Sequence, residues 1–195
     1  DTVRAQYAGY REAKGVNPES MTATYAALKL YVDNWRWQDV PFYLRSGKAM
    51  RRKTNEINVQ FRRPPKMFFD MPKSKRPEPN ILSICIQPDE GMHLTFGAKV
   101  PGSSDIRSTL LHFQYNEAFP TIALPDAYER LLLDALQGDA TLFTREDEIR
   151  LQWKLIDTIL AGWKGDHAPP LVEYGRGTWG PEEAEFLLAD DGRVW

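Results

Sequence analysis

Three short segments with alternating apolar residues follow one another in the middle of the chain, and they constrain the fold more than any other feature of the sequence. They are residues 81–87, 92–98 and 109–115, and in the last two the apolar side chains fall on one face. Short turns join the segments, and strands joined in this way pair antiparallel. The sequence therefore predicts an antiparallel sheet.

The region before this sheet has both helical and strand-like spacing. Apolar residues at intervals of about 3.6 residues predict an amphipathic helix over 20–36, with Ser20 as its N-cap. Residues 42–45 have the pattern of a strand end, and the alternation within 57–61 predicts a half-buried strand. Five prolines then predict an irregular loop over 64–79.

Three helices are predicted in the last third of the chain. The first begins at Pro125-Asp126 and ends with Gly138 at the C′ position. Thr144 and Asp147 have the spacing of a capping box for the second, and Pro181 suits the N1 position of the third. A large, mainly antiparallel sheet with helices packed on one side is an α+β fold.

Length and composition favour one cytoplasmic domain. The 195 residues with 42% hydrophobic content can bury one sizeable core and are few for two complete domains, so residues 1–195 are interpreted as a single domain. No apolar run of about 18 residues is present, and Cys85 is the single cysteine. Neither membrane insertion nor a disulfide framework is therefore expected.

Charge is distributed unevenly along the chain. Residues 45–76 hold eleven Lys and Arg against Glu56 and Asp70, whereas the whole chain has a formal net charge of −2, so residues 77–195 are acidic. A basic segment of this kind suits an anionic small ligand, a complementary partner or self-association. A solvated charged face is the alternative. Nucleic-acid binding is disfavoured by the acidic remainder and by the lack of a base-stacking platform.

The strongest local signal is the turn that follows the strand end at 42–45. Gly47 lets the backbone approach a ligand, Lys48 supplies a point charge, and Arg45 offers a bidentate fork for phosphate or carboxylate. The glycine spacing of a P-loop is absent. An ordinary turn with solvated cations is the alternative interpretation.

A second polar position lies at the end of segment 81–87. Gln87 precedes a turn, and its amide can both donate to and accept from a sugar hydroxyl. A simple hairpin turn explains the same residues. The first turn of the helix after Pro125 contains Tyr128, Glu129 and Arg130, where acids favour the helix dipole and Arg130 can pair with a carboxylate, so it is interpreted as structural.

No catalytic, metal-binding or cofactor-binding group is predicted. His93, His112 and His167 have no Cys, Asp or Glu partner at metal-ligand spacing, and no pair forms a nucleophile with its base. The G-x-G-x-x-G turn of a dinucleotide-binding βαβ unit is absent. Cys85 is interpreted as an inert packed thiol.

Taken in order, three stretches resemble glucose-6-phosphate dehydrogenase. They are 40–49 (Val-Pro-Phe-Tyr-Leu-Arg-Ser-Gly-Lys-Ala), 86–91 (Ile-Gln-Pro-Asp-Glu-Gly) and 124–134 (Leu-Pro-Asp-Ala-Tyr-Glu-Arg-Leu-Leu-Leu-Asp). Shorter matches extend the resemblance over nearly the whole chain, at 6–7, 22–26, 138–140 and 178–181. The resemblance implies the C-terminal half of a cytoplasmic enzyme of the pentose phosphate pathway, in which the sheet forms the interface of a homodimer.

The same resemblance implies site residues and a division of labour. Lys48 matches the family's substrate lysine, Lys53 the second cation and Gln87 a substrate-side glutamine, so all three position glucose 6-phosphate. The family passes a hydride from C1 of this sugar to NADP, using a histidine base and a coenzyme domain that are expected upstream of Asp1. The chain alone is therefore predicted to be inactive, and its start at Asp1 favours a piece cut from a longer protein over a processed mature protein.

Some family members hold a second, structural NADP through basic residues. The matching positions here are Thr54, Asn58 and Cys85, none of them cationic, which leaves only Arg45. No tight structural NADP is therefore expected on this chain. A non-catalytic module that binds a sugar phosphate or a protein partner is the alternative to the enzyme fragment.

Overall fold

The computed structural model describes residues 1–63, 78–103, 105–121 and 127–195, and the chain divides into two compact units. The first unit comprises Asp1–Arg52 and Asp139–Trp195, and the second Lys53–Gly138. The assignment of the chain to a single domain stays a prediction. Strands and helices are numbered in chain order: β1 (Thr2–Tyr7), β2 (Tyr25–Tyr31), β3 (Pro41–Gly47), β4 (Asn55–Gln60), β5 (Ile81–Gln87), β6 (Gly91–Lys99), β7 (Ile106–Gln114), α1 (Tyr115–Ala118), α2 (Ala127–Gln137), α3 (Glu146–Gly162), β8 (Leu171–Tyr174) and α4 (Glu183–Ala189).

The first unit contains a four-stranded sheet in the order β3-β2-β1-β8. Its strands pair antiparallel except for β1 and β8, which are parallel. Alternation along β2 places Tyr25 and Ala27 on one face, where both are buried. Small residues on this face let α4 approach, and the buried core consists of Ala5, Tyr25, Ala27, Tyr174, Ala184, Leu187 and Leu188.

The second unit contains an antiparallel meander in the order β4-β5-β6-β7. Cross-strand pairing gathers apolar side chains on one face and polar side chains on the other. The apolar face includes the paired residues Val59, Leu82, Leu94 and Leu111, and the polar face the paired residues Asn58, Ser83, His93 and His112. The predicted antiparallel pairing of the three central segments is therefore confirmed.

The predicted helix over 20–36 is wrong, because this region contains strand β2. Its N-cap prediction is wrong as well: the Ser20 hydroxyl accepts a hydrogen bond from the Thr22 amide within a turn, at 3.3 Å. The sequence of β2 has apolar residues on both faces, which imitates helical spacing. Strand β2 lies between β1 and β3, so pairing on both edges decides its conformation.

The α+β class is confirmed, and most other predicted elements differ from prediction at their ends. Strand β4 is also exposed along its whole length, so the prediction that it is half-buried is wrong. Helix α2 ends at Gln137, directly before the predicted C′ residue Gly138, whose φ of 73° is left-handed. Helix α3 has Arg145 at its N-cap without a side-chain hydrogen bond, so the predicted capping box does not form. Helix α4 begins at Glu183, two residues beyond Pro181, and β7 ends at Gln114.

Strand β8 was not predicted, because its four residues are too few to show a periodicity. Most of the predicted 64–79 loop and the predicted helix start at Pro125-Asp126 lie outside the described residues. In the part of the chain that the structure covers, no helix combines the length and apolar character needed to cross a membrane.

Candidate functional site

Three hydrogen bonds fix the backbone of Lys48 and of the residue after it in the first unit. Its amide donates to the Thr24 carbonyl at 2.8 Å, and its carbonyl accepts from the Tyr174 hydroxyl at 2.6 Å. The next residue, Ala49, has a left-handed φ of 49°, and its carbonyl accepts from the Gly177 amide at 2.8 Å. The Lys48 side chain is exposed, and its ammonium forms no ion pair with any described residue. A fixed backbone therefore presents a solvated cation.

A buried tyrosine explains the glycine that precedes Lys48. A Cβ on Gly47 would lie 2.7 Å from Cδ2 of Tyr25 and 2.9 Å from Sδ of Met50. A Cβ on Gly180 would lie 2.5 Å from Cε2 of the same ring. Burial raises the pKa of Tyr25 to about 12, so the phenol stays neutral. The structure thus gives Gly47 a packing role, and the approach of a ligand at this glycine stays a prediction.

Lys53 and Gln87 lie in the second unit and are brought together by the pairing of β4 with β5. Lys53 precedes Thr54, whose hydroxyl donates to the Gln87 carbonyl at 3.2 Å, and Asn55 pairs with Gln87. Both side chains are exposed, and the Lys53 ammonium forms no ion pair with a described residue. The backbones of Lys53 and Gln87 therefore lie near each other at one end of this sheet.

Arg45 is engaged with aromatic rings rather than extending from the turn. Its guanidinium carbon lies 5.1 Å from the ring centroid of Trp179 and 4.5 Å from that of Trp195. Arg52 also lies over Trp179, at 5.9 Å. The bidentate fork that the sequence suggested at Arg45 is thus part of a cation–aromatic cluster.

A charged cluster joins the C-terminal segment to β2 and β3. The Asp191 carboxylate accepts from the Lys29 ammonium at 2.6 Å and from the Tyr43 hydroxyl, and Arg193 donates to Tyr43 at 3.0 Å. The hydrogen bond from Lys29, followed by that from Tyr43, lowers the pKa of Asp191. The hydrogen bond to Asp191 raises the pKa of Lys29, and burial raises that of Tyr43.

The remaining polar candidates are structural in their contacts. Arg130 pairs with Asp134 at 2.9 Å, as the position of Arg130 in the first turn of α2 suggested. His93 and His112 face each other with ring centroids 6.4 Å apart, and His112 lies 3.4 Å from Glu117. Cys85 is a free, partly buried thiol. Within the described residues, no group of three His, Cys, Asp or Glu side chains is placed to hold a metal ion.

Sequence reasoning missed the residues that support the Lys48 turn. The Tyr174 hydroxyl and the Thr24 carbonyl contact it through long-range hydrogen bonds, and neither residue stands in a motif that predicts such a contact. Trp179 lies in the short sequence match at 178–181, which predicts no contact for it. The local signal that was available is the glycine at 47, since a glycine beside a cation indicates a close approach of backbone or ring.

Each unit by itself presents groups of a kind that can bind an anion or a hydroxyl: an exposed ammonium in the first unit, and an exposed ammonium and an exposed amide in the second. Exposed ammonium groups neutralise a phosphate, and an amide satisfies a hydroxyl as donor and acceptor. A role of Lys48, Lys53 and Gln87 in positioning a ligand stays a prediction.

Comparison with known proteins gives a consistent family. A family model described as the C-terminal domain of glucose-6-phosphate dehydrogenase matches residues 1–195. Glucose-6-phosphate 1-dehydrogenase of Treponema pallidum is 45% identical over 208 aligned residues, covering 100% of this chain and 40% of its own length. The enzyme of Chlamydia pneumoniae is 44% identical, covering 96% of this chain and 37% of its own length. The chain thus spans about two fifths of these relatives.

Two solved structures agree with this family. Glucose-6-phosphate 1-dehydrogenase from Mycobacterium avium matches 100% of this chain with a TM-score of 0.80 and 37% identity, over 39% of its own length. A glucose-6-phosphate dehydrogenase in complex with its substrate glucose-6-phosphate matches 100% of this chain with a TM-score of 0.86 and 34% identity, over 41% of its own length.

Proposed function

This chain belongs to the glucose-6-phosphate dehydrogenase family, whose C-terminal domain it matches throughout, and on this premise we propose that it is the substrate-positioning part of such an enzyme. The full-length enzyme oxidises glucose 6-phosphate to 6-phosphogluconolactone and reduces NADP. The observation that carries the proposal is the match of all 195 residues to the C-terminal domain of the family.

Lys48, Lys53 and Gln87 are the proposed substrate-binding residues. The two ammonium groups are exposed and form no ion pairs with described residues, so their charges are available to a phosphate. The Gln87 backbone is fixed by its pairing with Asn55, which leaves its amide to contact sugar hydroxyls. All three contribute binding and orientation, while the base that accepts the C1 hydroxyl proton belongs to the rest of the enzyme.

NADP is proposed to bind the part of the enzyme outside this chain. A second, structural NADP is not expected here, because the matching positions carry no cation and Asn58 already bonds to Glu56 at 3.1 Å and to Ser83. Arg45 packs against Trp179 and Trp195. Titration of the isolated chain with NADP tests this, and binding at micromolar or lower concentration contradicts it.

The remaining parts of the proposal concern partners and location. The enzyme is a cytoplasmic homodimer that uses a sheet of this domain as its interface, without nucleic-acid or membrane partners. Support comes from large apolar side chains on the second sheet that are exposed in the single chain, such as Ile57 at 51% and Leu111 at 59%. Sedimentation of the full-length enzyme tests the dimer.

The decisive experiment compares the full-length enzyme with this chain alone. Each is incubated with glucose 6-phosphate and NADP, and NADPH formation is followed by absorbance. Turnover is expected only for the full-length enzyme, and none is expected for the isolated chain. Glucose-6-phosphate-dependent turnover by the isolated chain contradicts the division of labour, and an inactive, folded full-length enzyme contradicts the proposed function.

A further inference from the structure

The hydroxyl of Tyr174 lies in a small network whose proton directions follow from its distances. Its oxygen lies 2.6 Å from the Lys48 carbonyl, 3.3 Å from the Thr24 carbonyl and 3.3 Å from the Thr24 hydroxyl. A phenol has one proton, and the shortest contact identifies the Lys48 carbonyl as its acceptor. The Thr24 hydroxyl accepts from the Tyr7 amide at 3.0 Å, so its own proton is free to go to the Tyr174 oxygen.

Tyr174 itself is held rigidly. It is 3% exposed, it ends β8 in parallel pairing with Tyr7 of β1, and its ring lies 5.4 Å from that of Tyr25. Burial raises its pKa, so the phenol keeps the proton that it donates. A donor fixed in the core therefore reaches the exposed turn.

The contact acts on the residue that carries the proposed substrate cation. Lys48 lies between the end of β3 and Ala49, whose left-handed φ is sparsely populated for residues other than glycine. A turn of this kind keeps its geometry only when surrounding bonds determine it. The Tyr174 hydroxyl is the one side-chain donor to the Lys48 carbonyl in the described part of the chain.

We propose that Tyr174 is a positioning residue for Lys48, and this inference rests on the proposed substrate role of that lysine. By holding the Lys48 carbonyl, Tyr174 fixes the direction in which the ammonium leaves the turn. Loss of the phenolic proton donor frees the peptide plane between Lys48 and Ala49. The ammonium then samples positions away from the phosphate, which weakens substrate binding before the chemical step.

The test is Tyr174→Phe in the full-length enzyme, with Tyr43→Phe as the matched control. Tyr43 lies in the same sheet, but its hydroxyl contacts Asp191 and Arg193 instead of the turn. Tyr174→Phe is expected to raise the KM for glucose 6-phosphate about threefold to tenfold, with kcat and the KM for NADP within about twofold of wild type. Tyr43→Phe is expected to leave all three within about twofold. An unchanged KM in folded Tyr174→Phe enzyme overturns the inference.

A double-mutant cycle separates this inference from the proposed function. If Tyr174 acts through Lys48, adding Tyr174→Phe to Lys48→Ala produces no further rise in KM. Independent, multiplying effects overturn the inference while leaving the role of Lys48 intact. An unchanged KM in Lys48→Ala alone overturns the proposed role of that lysine. If Tyr174→Phe does not fold, Thr24→Val replaces it in the cycle, because this change removes the hydroxyl that orients the phenol. No further rise in KM when Thr24→Val is added to Lys48→Ala supports the inference, and independent, multiplying effects overturn it.

Discussion

At the scale of single residues, the candidate site combines exposed charges with a backbone fixed from the core. Lys48 has a solvated ammonium, yet its amide is hydrogen-bonded to Thr24, just before β2, and its carbonyl to the buried Tyr174 of β8. Its carbonyl partner, Tyr174, packs against Tyr25, the ring that excludes a side chain at Gly47. The entropy lost when a ligand binds is then mainly that of the lysine side chain, because the turn is already ordered.

Lys48→Ala in the full-length enzyme is expected to raise the KM for glucose 6-phosphate by about tenfold or more, since a charged contact to phosphate is lost. The value of kcat should fall less than KM rises if the lysine holds substrate and transition state equally. Steady-state kinetics measures both. Lys164→Ala, in the loop after α3, is the control and should change neither by more than about twofold. A fall in kcat with unchanged KM contradicts the binding role.

Gly47→Ala is expected to destabilise the protein by about 1–3 kcal/mol, because the new methyl group enters the space of Tyr25 and Met50. Met50 can turn aside, but the Tyr25 ring is confined against Gly180. Urea unfolding gives the free-energy change. Gly162→Ala is the matched control, since open space surrounds that position. Alanine in place of glycine at the end of α3 is expected to stabilise the protein by a few tenths of a kcal/mol. Equal stability of the two variants contradicts the packing role of Gly47.

At the scale of elements, the sequence predicts strands best where their pattern has one apolar face. The predicted and observed bounds of β5 coincide at residues 81–87, and β6 and β7 differ by a few residues. The prediction for β2 was wrong because this strand has apolar residues on both faces: Leu28 and Leu30 are on one face, and Tyr25 and Ala27 are on the other. Only its two partner strands distinguish it from a helix.

The residues of the candidate site and its supports also differ in how far local sequence patterns predict them. Gly47, Lys48 and Gln87 stand at strand ends that local patterns identify, so the sequence predicts their places in the fold. Tyr174 is separated from Lys48 by 126 positions, and no local pattern encodes a contact over that distance. The pairing of Arg45 with Trp179 and Trp195 depends equally on the fold.

Asp191 connects the C-terminal segment to β2 and β3 through Lys29 and Tyr43, so the stability of this connection should depend on pH. The folded pKa of Asp191 lies below its ordinary 3.8, so its contribution to stability is complete above pH 3.8 and is lost as pH falls through the folded value. Lys29, whose pKa is raised above 10.5, contributes below that pH and loses its contribution as pH rises through the folded value.

Asp191→Asn should therefore lower the Tm at neutral pH, and the difference from wild type should shrink as pH falls below 3.8. Thermal unfolding followed by circular dichroism from pH 7 to about pH 2 measures this. Asp190→Asn is the control, since Asp190 is exposed and forms no ion pair in the described part of the chain. A difference that stays constant throughout the range contradicts the ion-pair explanation.

At the scale of the whole molecule, the two sheets differ in how fully their faces are covered. In the first unit, α4 covers one face and buries a core that includes Tyr25 and Leu188. In the second unit, Ile57, Met92 and Leu111 are 51%, 45% and 59% exposed. Exposed apolar patches often mark contact surfaces, so we expect further protein surface to cover this face in the full-length enzyme. The chain spans about two fifths of the length of its relatives, which agrees with this expectation.

The isolated chain should consequently bind a hydrophobic dye such as ANS more strongly, per mole of domain, than the full-length enzyme does. Leu111→Ser is expected to reduce the dye fluorescence of the isolated chain, because Leu111 lies on the exposed apolar face. His112→Ser, one residue further along β7, changes the opposite face and should leave the fluorescence nearly unchanged. Alternation along one strand thus separates an effect of the apolar face from a general loosening of the fold. Equal losses in the two variants, or equal dye binding by the isolated chain and the full-length enzyme, contradict the interpretation that this face is covered in the complete protein.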